Sequence, residues 1–189
     1  MKTKYKIILG SKSPRRKELL KELGFDFTIK TKDTDESYPS DFAESKVAEF
    51  IAQKKANALI NEIKEDELLI CSDTVVVINN EILGKPQDYN EAFSMLSKLS
   101  GNSHKVITGV VLANPLKKHS FSVTTEVTFK ELSKDEIDFY INEYKPFDKA
   151  GAYGIQEWIG FIGVTELKGS YFNVVGLPTA EVYREILKF

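Results

Sequence analysis

The sequence predicts an α/β protein with a mixed, twisted sheet and flanking helices. Three observations carry this: short apolar runs of strand length alternate with segments of helical period, the helical segments open on recognisable N-caps, and one run turns back on itself through Asn79-Asn80. The 189 residues show no internal repeat and no linker long enough to separate independent domains, so residues 1–189 are read as a single domain.

In chain order, residues 5–9 form a short buried strand that turns through Gly10-Ser11-Lys12-Ser13 into a helix. Ser13 suits the N-cap, Pro14 the first helical position, and Gly24 the stop, with Leu19, Leu20 and Leu23 facing inward. Residues 25–29 alternate as a strand, and residues 31–40 read as an exposed loop. Asp41 is expected to cap a long helix with Glu44 as its capping-box partner. Its apolar stripe, Val47, Phe50, Ile51, Ala58, Leu59 and Ile63, is interrupted by Lys54 and Lys55, so at least one lysine is expected to reach a polar cleft. Residues 68–78 form the most apolar run and return through Asn79-Asn80 into residues 81–83. A helix over 90–99 closed by Gly101, strands over 105–113 and 119–129, and a helix opened by the Ser133/Glu136 capping box and ended before Pro146 follow. Six of the eleven glycines then fall between Gly151 and Gly176, where backbone must pass close to something, before a last helix from Pro178 with Val182 and Ile186 inward.

Hydrophobic residues at 42% and charged residues at 29% exclude a disordered or low-complexity chain. The net charge of −2 supplies no global field for nucleic acid or an acidic membrane. Cys71 is the one cysteine, and with only His104 and His119 no zinc spacing arises. No run approaches the ~18 apolar residues of a membrane span, and no signal segment is evident, so a cytoplasmic protein without stable nucleic-acid or membrane partners is expected.

Ser11, Ser13, Arg15 and Arg16 sit where a strand feeds a helix N-terminus, so hydroxyls, free N–H groups and guanidinium forks can converge on a phosphate. The same residues also suit a capped helix with two solvated arginines, since neighbouring positions point about 100° apart. Asp73 is a carboxylate inside a buried run, which calls for a partner, a metal or a catalytic use. Period 2 places it on the face of Cys71 and Val75, with Ser72 and Thr74 opposite, and Cys71 reads as a small core residue. Asp33, Asp35 and Glu36 offer magnesium ligands or a solvated acidic turn, and Lys85 in Gly84-Lys85-Pro86 is a phosphate cation or a surface turn lysine. Cations, carboxylates and a divalent metal together are what polyphosphate hydrolysis requires.

Ser11-Lys12-Ser13-Pro14-Arg15-Arg16, Lys54-Lys55-Ala56, Ser72-Asp73-Thr74-Val75-Val76, Gly84-Lys85-Pro86, Ser100-Gly101, residues 148–156 (DKAGAYGIQ), Gly169-Ser170-Tyr171 and residues 173–178 (NVVGLP) occur in one order across essentially the whole chain. In this the sequence resembles the Maf-like nucleoside triphosphate pyrophosphatases. The resemblance implies two lobes around a central cleft, a fold similar to that of inosine triphosphate pyrophosphatases, and a homodimer. It implies hydrolysis of a nucleoside triphosphate to monophosphate and pyrophosphate with magnesium or manganese. Asp73 would act on water and, with Glu36, hold the metal. Lys55, favoured over Lys54 by the motif, and Lys85 would assist catalysis, and Ser11, Ser13, Arg15 and Arg16 would bind phosphate. Residues 148–156 resemble the subgroup acting on dTTP and UTP rather than on 7-methyl-GTP, with Arg15, Thr74 and Gln156 setting base choice. Gln156 could equally be a loop amide satisfying backbone. Glu157 and Trp158 depart from the small residue expected after Gln156, a bulky negative step that would narrow the base pocket or alter which modified pyrimidines enter.

The expected role is house-cleaning, the removal of dTTP, UTP or modified pyrimidine triphosphates before incorporation. The resemblance also carries an alternative, a nucleotide-binding regulator of septum formation and cell-division arrest. Direct nucleic-acid binding through Arg15, Arg16, Lys54 and Lys55 lacks a large basic face.

Overall fold

The computed structural model describes residues 3–189 and has the expected α/β architecture, a mixed seven-stranded sheet with helices. The chain forms two compact units: residues up to Asp73 with Thr108–Val123 and Gly176–Phe189, and residues Thr74–Ile107 with Thr124–Val175. The long strands are β3 (Glu67–Ile78), β5 (Ser103–Ala113) and β6 (Lys118–Phe129).

In the first unit, β1 (Lys6–Leu9) pairs in parallel with β2 (Phe27–Ile29) and with β3, in the register Ile7↔Phe27 and Ile7↔Leu68. The alternation of side chains sorts the core into two clusters. Ile7, Leu9, Leu68, Ile70, Val110 and Leu112 pack with Leu20 of α1 (Pro14–Glu22) and with Val182 and Ile186 of the C-terminal helix, Thr179–Lys188. Ile8, Leu69, Cys71, Val111 and Ala113 pack with Ala52, Ala56 and Leu59 of α2 (Glu44–Leu59). Cys71 is therefore core, and burial pushes its thiol up to about 12.

The ends of α1 follow the expected chemistry: Ser13 Oγ accepts from Arg16 N, Pro14 opens the helix, and Gly24 takes φ +77 just past it. The start of α2 does not. The helix begins at Glu44, with Ala43 at the N-cap and no side-chain cap bond, so the Asp41/Glu44 box is not formed. The Phe42 ring, just ahead of the helix, packs 5.0 Å from that of Phe50. The buried stripe is also wider than the large residues suggested, because Ala48, Ala52 and Ala56 belong to it. Small residues are needed there: a Cβ on Gly109 of β5 would lie 2.2 Å from Glu49 N, so helix backbone rests directly on strand backbone.

In the second unit, Asn79 and Asn80 (φ 49° and 63°) turn β3 into β4 (Glu81–Leu83), antiparallel with Ile78↔Glu81. α3 (Tyr89–Leu99) is capped by Asp88, whose side chain accepts from Glu91 N. α4 (Lys134–Tyr144) opens on the complete Ser133/Glu136 capping box and ends with Lys145 at φ 47° before Pro146. Both pack with Val76, Val106, Val127 and Phe129 in one core. The glycine-rich stretch contains α5 (Trp158–Gly163), then β7 (Val164–Lys168), antiparallel to β6, and α6 (Tyr171–Val175). The C-terminal helix of the first unit is thus α7. A Cβ on Gly160 would fall 1.9 Å from Ile155 O, so the close approach there is the chain to itself.

Candidate functional site

Asp73 ends the first unit's portion of β3 and is 8% exposed. Two residues beyond Cys71, it lies on the α2 side of the sheet, as period 2 requires. Lys55 of α2 meets it there, with Nζ 2.6 Å from Asp73 Oδ1 and 2.8 Å from Glu36 Oε1. Lys54, one position along the helix, instead donates to Asp35 Oδ2 at 3.0 Å and to Ser37 O at 2.9 Å. Lys55 and not Lys54 therefore reaches the buried carboxylate, and of the loop's acids it is Glu36 that joins it. Asp35 also accepts from the Ser37 hydroxyl and amide, and these bonds with Lys54 hold its carboxyl below the usual range. Asp33 pairs with Lys12 at 2.7 Å, so each acid of the 33–36 loop answers a different lysine.

At the start of α1, Ser11 is buried and its Oγ accepts from Ser13 N at 3.2 Å and Arg16 Nη1 at 3.5 Å. Arg16 Nε donates to Gly176 O at 2.8 Å. Burial lowers the Arg16 guanidinium pKa, Asp73 and Glu36 offset part of this, and Arg15 adds to the lowering. Arg16 thus stands within electrostatic reach of both carboxylates while it ties α1 to the segment entering α7. Arg15 is half-buried on α1 beside it.

The other expected site residues belong to the second unit. Thr74 is half-buried on β3, directly after Asp73. Lys85 is exposed after β4, in a segment held where Gly151 N donates to Gly84 O at 3.0 Å. Gln156 lies between Gly154 and α5, and its Oε1 is buried with no hydrogen-bond partner. A buried amide oxygen of this kind is an acceptor suited to a ligand N–H.

Glu157 directly follows Gln156. Its carboxylate pairs with buried Lys149 at 3.1 Å and accepts from the Tyr140 hydroxyl, while the Trp158 ring packs on Phe139 at 4.7 Å. In sequence Lys149 stands only within the motif of residues 148–156, with no role of its own, and nothing there marks Tyr140.

Among the described residues no group of three or more His, Cys, Asp or Glu could hold a metal ion. Glu36 and Asp73 converge on one ammonium and supply hard oxygen donors, which suits a divalent ion that takes one or two carboxylates and completes its shell with phosphate oxygens and water. Among these residues no helix is long and apolar enough to cross a membrane.

Residues 6–189 match the family described as Maf-like protein. A dTTP/UTP pyrophosphatase of Phocaeicola vulgatus is 53% identical over 186 residues, 98% of this chain and 96% of the relative. One of Bacteroides thetaiotaomicron is 48% identical over the same shares. Among solved structures, the Staphylococcus aureus Ham1 protein aligns with TM-score 0.49 and 13% identity over 66% of this chain and 71% of that one. With its family matched over nearly the whole length and relatives at about half identity, the chain belongs to the Maf-like protein family.

Proposed function

We propose that this protein is a nucleoside triphosphate pyrophosphatase that hydrolyses dTTP and UTP, and modified pyrimidine triphosphates, to the monophosphate and pyrophosphate. The observation that carries this reading is Asp73, a buried carboxylate held by Lys55 in an ion pair that Glu36 shares. Asp73 orients and deprotonates the attacking water; Lys55, ion-paired with it, lends positive charge to the phosphates, as do Lys85, Arg15 and Arg16. Ser11 and Ser13 add hydroxyl donors at the start of α1. A divalent cation, magnesium or manganese, bound by Glu36 and Asp73 would neutralise phosphate charge when present.

Base choice falls to Arg15, Thr74 and Gln156. The unpartnered Gln156 Oε1 matches the N3–H of uracil or thymine, and its amide N–H a ring carbonyl. The names of the relatives support the same substrates. The protein would act in the cytoplasm as a homodimer that removes these nucleotides before incorporation, without stable nucleic-acid or membrane partners. The pairing of Lys55 with buried Asp73, and of Lys54 with Asp35, leaves these lysines engaged within the chain, which supports a protein without a nucleic-acid partner. Pyrophosphate release across canonical and modified triphosphates, with and without each metal, tests this; silence on every substrate would refute it.

A further inference from the structure

Gln156 occupies the third position of a hydrogen-bonded turn, in which Glu157 N donates to Gly154 O at 3.0 Å. Both ends of that turn meet one side chain. Gly154 N donates to the Tyr140 hydroxyl at 3.0 Å, and the same hydroxyl donates to Glu157 Oε2. Lys149, nearly fully buried, holds the other Glu157 oxygen at 3.1 Å and Asp148 Oδ1 at 2.8 Å. The turn has no room to shift toward α5, because Gly160 already lies against Ile155 O. Gln156 Oε1, by contrast, has no partner of its own. The aim of the Gln156 amide is therefore set by the backbone beneath it, and that backbone is held at both ends from α4.

We infer that Tyr140, with Glu157 and Lys149, is a positioning brace that fixes Gln156 for base recognition, which makes these three residues determinants of pyrimidine choice without touching the nucleotide. This rests on the proposed reading of Gln156. Burial and the bond to Glu157 keep the phenol protonated, so Tyr140 stays both donor and acceptor across the working pH range. A ligand amide aimed by a locked turn discriminates between bases better than one free to rotate, since misaligned hydrogen bonds lose most of their selectivity.

The test compares the ratio of kcat/KM for UTP over CTP in wild type, Tyr140→Phe, Gln156→Ala and the double variant. Tyr140→Phe keeps the buried ring and removes only the hydroxyl. The expected result is a fall in the ratio of roughly tenfold in Tyr140→Phe, with no further fall when Gln156 is already alanine, because both changes act through one amide. Glu157→Gln, which keeps an acceptor for Tyr140, should retain most of the preference. An unchanged ratio in Tyr140→Phe, or an equal fall in both backgrounds, would overturn the inference. Hydrogen exchange at the Gly154 amide gives a readout independent of turnover: it should quicken in Tyr140→Phe, and wild-type protection there would equally overturn the brace. A wild type inactive on all triphosphates would instead count against the proposed function.

Discussion

Lys55 Nζ lies 2.6 Å from Asp73 Oδ1, joining the C-terminal half of α2 to the middle of β3 through an ion pair with little solvent around it. Removing one partner of such a pair strands the other charge. Lys55→Met should therefore cost about 3 kcal/mol in urea denaturation, and much less when Asp73 is already asparagine. Equal losses in the two backgrounds would mean that the pair contributes little to the fold.

The contact that seats α2 is backbone on backbone. Gly109→Ala puts a methyl 2.2 Å from Glu49 N, where no flexible side chain can yield. We expect a loss of about 3 kcal/mol or more, with catalytic activity falling as Lys55 is displaced from Asp73; a near-neutral midpoint would contradict the packing.

How much was legible in sequence follows from how local each determinant is. Ser13-Pro14 with Gly24, Asn79-Asn80, and Ser133 with Glu136 are decided within a few residues, and each stands where its pattern indicated. The Lys55–Asp73 pairing was half legible: an interrupted stripe and a carboxylate on a strand marked the two residues, but only the sheet and the α2 crossing showed which lysine reached which acid. The start of α2 departs from the sequence pattern: the helix opens at Glu44 after Ala43, so Asp41 lies two residues ahead of the N-cap. Residues 151–176 gave glycines without a period, since what organises them is distant in sequence: Tyr140 beneath Gly154, and Thr125, whose Oγ1 accepts from Ser170 N at 3.0 Å. Glu157 reads in sequence as a bulky, negative step, and its pairing with Tyr140 of α4 and with Lys149 is set by the fold.

His104 supplies a pH dependence. It is buried, its Nε2 is 2.7 Å from the Tyr153 hydroxyl, and burial lowers its pKa from 6.5 to about 4. The unfolded chain binds this proton below 6.5 and the folded chain only near 4. Stability from this group is thus fully present above pH 6.5 and lost as pH falls toward 4, by about 3 kcal/mol in all. Urea midpoints measured from pH 7.5 to 4 should show this slope in wild type and a shallower one in His104→Gln.

Gly154 lies beneath two side chains at once, with an added Cβ 2.9 Å from Gln156 Nε2 and 2.9 Å from Glu157 Cδ. Gly154→Ala should push the amide aside and weaken the preference for UTP over CTP by about tenfold, or about 1.4 kcal/mol. Its effect on CTP alone should be small. Steady-state kinetics on both substrates checks this.

The central claim is that Asp73 performs the chemistry, and Asp73→Asn tests it most directly because the side chain keeps its shape and loses its charge and basicity. Pyrophosphate release from dTTP and UTP, measured with magnesium or manganese at matched folded protein, should fall by more than about a thousandfold in the variant. Residual activity within about tenfold of wild type, roughly 1.4 kcal/mol of barrier, would contradict the account and move the water-activating role to another residue.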